Sequence, residues 1–186
     1  LGLDRVLTVA EALGVVHGAP KTVTVAGTNG KGSVVALLTA GLKAMGQVVG
    51  TYASPHLLRF NERISIDEGE AEDAEIVAAF EHIEAARGDV SLTYFESATL
   101  AALWLFRQRK VDVQVLEVGL GGRLDAVNIL DADVSVITSI GLDHLDWLGP
   151  DRASISREKA GIARQNRPCI VAESDPPDAL LAALND

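Results

Sequence analysis

The chain has 186 residues, 48% apolar and 23% charged, a composition that excludes disorder and can fill one hydrophobic core without disulfides. At roughly 150 residues per domain, that length makes one domain rather than two. Lys and Arg number 16 against 26 Asp and Glu; the net charge of −10 argues against nucleic acid and anionic membrane as partners, while leaving room for a local cationic pocket. Cys169 is the only cysteine, which rules out an intrachain disulfide or a cysteine metal site. No apolar stretch approaches the roughly 20 residues that span a bilayer, and no signal-peptide pattern is seen, so a soluble cytoplasmic protein is expected.

In chain order, a helical pattern covers 4–13, followed by a β-type run at 22–26 (TVTVA) and a glycine-rich stretch at 27–33 (GTNGKGS). A helix is expected over 33–45, ended by Gly46, then a strand at 48–53 and a long connection at 54–62. Residues 63–66 alternate cleanly and can pair at a sheet edge before a turn at 67–69. A helix over 72–87 carries Ile76, Phe80 and Ile83 on one face and stops at Gly88; another follows at 95–109. The remaining pattern is a strand at 113–118, a second long connection at 119–130, a strand at 134–139, a helix at 154–164, a strand at 169–172 and a helix at 178–184. This alternation predicts an α/β fold, a mainly parallel sheet flanked by helices. Both long connections are candidates for function. Residue 1 is Leu and the last helical pattern is cut short, so a segment of a longer protein is expected.

Strand, glycine-rich loop and helix start at 22–33 gather backbone N–H groups around one point, an arrangement that binds phosphate. Gly27, Gly30 and Gly32 allow close backbone approach, with Thr28 and Asn29 between them. Lys31 can reach β- and γ-phosphate oxygens, and the Ser33 hydroxyl can face a magnesium ion. The match to GxxxxGK[ST] is imperfect: Val25 stands where the first glycine would be, and Gly32 separates Lys31 from Ser33. A glycine-rich turn that binds nothing is the alternative. Three glycines, a lysine and a serine in so short a loop favour nucleotide.

That loop, with 54–57 (SPHL), 60–64 (FNERI), 93–96 (TYFE), 117–125 (EVGLGGRLD), 142–150 (LDHLDWLGP) and 156–162 (SREKAGI), resembles the dihydrofolate synthase/folylpolyglutamate synthase family of the Mur ligase superfamily. The order of the motifs is the same and the resemblance runs over essentially the whole chain. It implies that 1–186 is a truncated, P-loop NTPase-like central ATP-binding domain, with a C-terminal glutamate ligase domain outside this chain. The implied reaction joins L-glutamate to dihydropteroate or to folyl-glutamates through an acyl phosphate, forming ADP. ATP and magnesium, two ions of it, would be required; a monovalent cation is left open. A monomer without nucleic-acid or membrane partners is expected.

Glu117 closes the strand at 113–118, where an acidic side chain near a phosphate loop suits magnesium, or is an ordinary charged residue at a strand exit. The resemblance implies that Glu117, Ser54 and His144 hold magnesium, although magnesium prefers oxygen donors to imidazole. His17, His56 and His82 are expected at the surface or in local hydrogen bonds, with His56 kept as a site candidate because it adjoins Ser54. On a helix over 154–164, Lys159 shares a stripe with Ile155 and Ile162, so it either snorkels to water or points into the site. Partial burial would lower its pKa and let the amine take up carbon dioxide. The resemblance implies a carbamylated Lys159 that helps hold the second magnesium, and a catalytic set of Lys31, His144 and Lys159. Thr93 and Glu96 fit a helix capping box. The resemblance places Thr93, Tyr94, Phe95 and Glu96, with Leu124, Asp125 and Ala126, at the border of a pterin site. Gly119, Gly121 and Gly122 let the loop turn tightly, Arg123 and Asp125 are candidate polar contacts, and Asn128 matches a usual Asn of the family, here after Val127. Competing readings are another P-loop NTPase or kinase, a Mur-type ligase for cell-wall precursors, and a fragment that only binds nucleotide.

Overall fold

The computed structural model describes residues 2–67 and 69–185. Its strands are β1 (Lys21–Ala26), β2 (Val49–Tyr52), β3 (Ile64–Ile66), β4 (Gly69–Glu70), β5 (Val113–Glu117), β6 (Val134–Ile137) and β7 (Cys169–Val171). They form one sheet in the order β4-β3-β2-β5-β1-β6-β7. The five strands from β2 to β7 in that order run parallel, and β3 and β4 add an antiparallel edge. The helices are α1 (Asp4–Ala12), α2 (Lys31–Ala44), α3 (Asp73–Arg87), α4 (Tyr94–Gln108), α5 (Leu145–Leu148), α6 (Arg152–Ala160) and α7 (Asp178–Asn185). The expected mainly parallel α/β sheet is borne out. None of the described helices is long and apolar enough to cross a membrane.

The period-2 pattern of the strands explains the layers. Val25, Val49, Val115 and Val136 face α2, where Val35 and Leu38 close a small valine-rich core. Ala26, Tyr52, Leu116 and Ile137 belong to the larger core on the other face, to which α4 contributes the fully buried Leu100 and Phe106. Each such side chain contributes about 1.5–3 kcal/mol by leaving water. Ser135 Oγ on β6 donates to Ile162 O at 2.9 Å, which pins the chain just after α6 to the sheet.

Several boundaries differ from the sequence pattern. Helix α2 starts at Lys31, not residue 33, because Gly30 adopts the left-handed conformation (φ 82°) that turns the chain straight into the helix. Helix α6 starts at Arg152, since Asp151 caps it by accepting from Ser154 N at 2.8 Å. It ends at Ala160, so Ile162 lies past the helix, yet it is fully buried. Helix α5 has no counterpart in the pattern; it is four residues long and begins after a left-handed His144 (φ 48°). At the expected turn over 67–69, Asp67 is left-handed (φ 54°), and Glu68 lies outside the described residues.

Candidate active site

The loops after β2, β5, β1 and β6 open at the same, carboxyl edge of the sheet, where ligands bind in parallel α/β folds. The loop after β1 is the glycine-rich one. Thr28 N donates to Ser139 O at 2.9 Å, and Asn29 N to Ser139 Oγ at 3.0 Å. Thr138 Oγ1 donates to Asn29 O at 2.6 Å, and Gly141 N to Thr28 Oγ1 at 2.9 Å. The loop after β6 therefore holds the loop after β1 in shape. A Cβ on Gly27 would stand 1.8 Å from Thr138 Oγ1, at a φ of 153°, so only glycine fits that stitch. At Gly30 and Gly32 a Cβ would meet nothing within 4 Å, so the loop's outer side is open to a ligand. Lys31 Nζ folds back onto Gly27 O at 3.1 Å and Thr28 O at 3.4 Å. Ser33 lies exposed in the first turn of α2.

Across from this loop stands Glu117, buried at the end of β5. Its Oε2 accepts from Ser54 N at 3.2 Å, which joins the exits of β2 and β5. Burial pushes the carboxyl pKa up, against the lowering effects of that N–H and of Lys31. Among the described residues, Oε1 of Glu117 accepts no protein hydrogen bond. A buried carboxylate with a free oxygen offers one hard donor for magnesium. No cluster of three His, Cys, Asp or Glu exists among the described residues. Any ion here therefore needs other donors too, such as the Ser54 hydroxyl, and phosphate oxygens where a nucleotide is bound. Lys159 is 4% exposed and shares a narrow recess with Gly27, Lys31, Asp143 and His144. Burial pushes its ammonium down to about 8, helped by Lys31 and opposed by Asp143 and Asp125. Of the two readings of Lys159, the snorkelling one fails. His144 reaches the same recess but is half-exposed, its Nε2 3.6 Å from Asp143 Oδ2.

Beside the recess opens a cavity of about 520 Å³, large enough for a drug-sized ligand. Lys31, Ser54 and His144 line it on the side of the glycine-rich loop, and Thr93, Phe95, Glu96, Leu124, Asp125 and Ala126 on the other. Tyr94, expected with this group, is not on the wall; its ring lies beneath Arg63, the guanidinium carbon 5.4 Å from the ring centroid. The capping box is present. Glu96 N donates to Thr93 Oγ1 at 3.2 Å, and Thr93 N to Glu96 Oε2 at 2.6 Å. Arg5 of α1 also reaches Glu96 at 3.3 Å, a wall contact with no local signal in the sequence. Phe95 lies tilted at 45° to Tyr52, ring centroids 6.0 Å apart, and fills the space beside Gly119. Arg123 is not a site contact: it pairs with Glu158 at 2.8 Å and ties the loop to α6. Asn128 is structural as well, its amide donating to Arg123 O at 3.0 Å and Gly161 O at 2.9 Å.

Asp125 is buried, accepting from Gly119 N at 3.0 Å, Leu120 N at 2.9 Å and Val127 N at 3.1 Å. Burial outweighs those N–H groups and raises its pKa from 3.8 to about 6. A carboxyl whose folded pKa is raised binds its proton more tightly when folded, so its ionisation costs stability as pH rises from the unfolded to the folded value. The cost is about 3 kcal/mol at neutral pH. In urea titrations, Asp125→Asn is therefore expected to compare least well with the parent at pH 4 and to gain on it by about that amount at pH 7. A stability difference that does not move with pH would contradict this assignment.

Three comparisons extend the picture. The Mur ligase middle domain family matches residues 25–184. The dihydrofolate synthase/folylpolyglutamate synthase of Escherichia coli is 58% identical over 180 residues, 97% of this chain and 43% of that protein. The solved structure of E. coli FolC in complex with DHPP and ADP superposes with a TM-score of 0.97 at 57% identity, over 100% of this chain and 45% of that one. A bifunctional folylpolyglutamate synthase/dihydrofolate synthase with Mn, AMPPNP and L-glutamate bound gives a TM-score of 0.95 at 57% identity, over 100% of this chain and 46% of that one. The chain thus spans less than half the length of these relatives. By the extent of its family match and by its sheet, this chain belongs to the Mur ligase middle domain family.

Proposed function

We propose that this chain is the ATP-binding part of a longer ligase that joins L-glutamate to dihydropteroate and to folyl-glutamates, forming ADP and phosphate. The observation that carries the reading is one continuous opening, with phosphate-binding groups at one end and an aromatic and apolar pocket at the other. The relatives named above bind ADP, DHPP, L-glutamate and manganese with AMPPNP, which matches those two ends.

In this reading, the loop amides of 27–33 and Lys31 hold the β- and γ-phosphates. The flat pterin ring lies against Phe95 with Leu124 and Ala126 around it, and Asp125 supplies a polar contact. That orientation aims the acceptor's carboxylate at the γ-phosphate. A carboxylate oxygen attacks phosphorus and ADP leaves. The glutamate amine then adds to the acyl phosphate carbon, loses a proton, and expels phosphate. No protein nucleophile is needed, because the substrate carboxylate is one. Magnesium, when bound, would neutralise the charge on the transferring phosphate; Ser54, Glu117, His144 and Lys159 are the residues that would hold it. Lys159 serves there as a carbamate. Its neutral amine adds to carbon dioxide, an N–C bond forms and a proton is released, leaving anionic oxygens where an ammonium would repel a cation. The net charge of −10 fits a working protein that is cytoplasmic and monomeric, without nucleic-acid or membrane partners. The test is ADP release by the complete protein: it must require both an acceptor and L-glutamate.

A further inference from the structure

Arg63 ends a single 3-10 turn, Phe60–Arg63, and leads into β3; it is 8% exposed. Its backbone carbonyl accepts from Ala53 N at 2.9 Å, which anchors it beside the loop that carries Ser54. The guanidinium Nε donates to His56 Nδ1 at 2.8 Å, and its face covers Tyr94. Among the described residues it forms no ion pair with any carboxylate, whereas Arg5 on the same wall is paired with Glu96. A buried guanidinium is costly unless its charge is paired, and its planar fork matches a carboxylate. Arg63 also lines the 520 Å³ cavity.

Its position within the site narrows the ligand. Lys31 lies in the narrow recess with Gly27, His144 and Lys159, against the glycine-rich loop. Arg63 lines the cavity but not that recess, its guanidinium lying against His56 and Tyr94. We propose that Arg63, aimed by His56, binds a carboxylate of the acceptor that is not the one being activated: the α-carboxylate of a glutamyl tail. Dihydropteroate has a single carboxylate, consumed at the reaction centre, so Arg63 distinguishes the two acceptor classes. The inference rests on the ligase reading above.

The test is steady-state kinetics on the complete protein carrying Arg63→Met or Arg63→Lys, with dihydropteroate and with a folyl-monoglutamate. Loss of a hydrogen-bonded ion contact should raise KM for the glutamylated acceptor about 10- to 100-fold more than KM for dihydropteroate. Arg63→Lys, which keeps the charge but not the fork, should shift the same ratio less, and it carries the test if Arg63→Met does not fold. Taking the ratio within one preparation cancels any loss of folded enzyme. Equal KM shifts for the two acceptors, or a fall in kcat alone, would overturn the proposal while leaving the ligase reading intact. Parent protein that turns over neither acceptor would defeat both.

Discussion

Lys31→Met is expected to lower ATP turnover by the complete protein about 1,000-fold or more while leaving its stability within about 1 kcal/mol of the parent. The two effects separate because of where Lys31 stands. It is half-buried in the first turn of α2, and among the described residues its hydrogen-bond partners are the carbonyls of Gly27 and Thr28. Those contacts are weak props for a loop already held by Thr138, Ser139 and Gly141. A bound γ-phosphate, by contrast, develops charge that one desolvated ammonium meets directly. Turnover and urea unfolding on the same preparation check both halves. A loss below tenfold would mean that Lys31 does not face the transferring phosphate.

Gly122→Val should cost about 3 kcal/mol of folding stability and disable the site as well. A Cβ there would stand 2.7 Å from Glu158 O and 3.1 Å from Lys159 Cα, both backbone atoms of α6 that cannot swing aside. Arg123 N donates to Glu158 O at 2.7 Å across the same contact. Opening the seam therefore moves Lys159 away from Lys31 and the recess they share. Gly119→Val is the control: its Cβ would meet the far end of Phe95, 2.6 Å away, a side chain able to rotate. Urea denaturation should place Gly122→Val well below Gly119→Val. Equal losses would show that the close approach of loop and α6 is not what limits this position.

Local pattern revealed much of the molecule and failed where distant segments meet. Alternating valines and threonines at 22–26 marked the central strand, and the glycines after it marked the phosphate loop, because both signals lie within a dozen residues. Helical spacing put Lys159 on the stripe of Ile155 and Ile162, which stays buried although α6 ends at Ala160, but left open whether its ammonium reaches water. Arg123 looked like a site contact because it sits in a glycine-rich loop; its partner Glu158 is 35 residues away and only the fold reveals it. The same holds for Arg63 on His56, and for Thr138 stitching Asn29 across the gap between β1 and β6. Helix α5 is too short to carry a period.

The central claim, that a pterin carboxylate is activated next to Lys31 and Lys159, is tested most directly by ADP release from the complete protein. The reaction holds ATP, magnesium and L-glutamate, with and without dihydropteroate, and is repeated with Lys159→Ala. The account predicts ADP only when dihydropteroate and glutamate are both present, and its near-complete loss in the variant. ADP release that ignores the pterin and glutamate, and survives in Lys159→Ala, would contradict it and leave a phosphate loop that hydrolyses nucleotide.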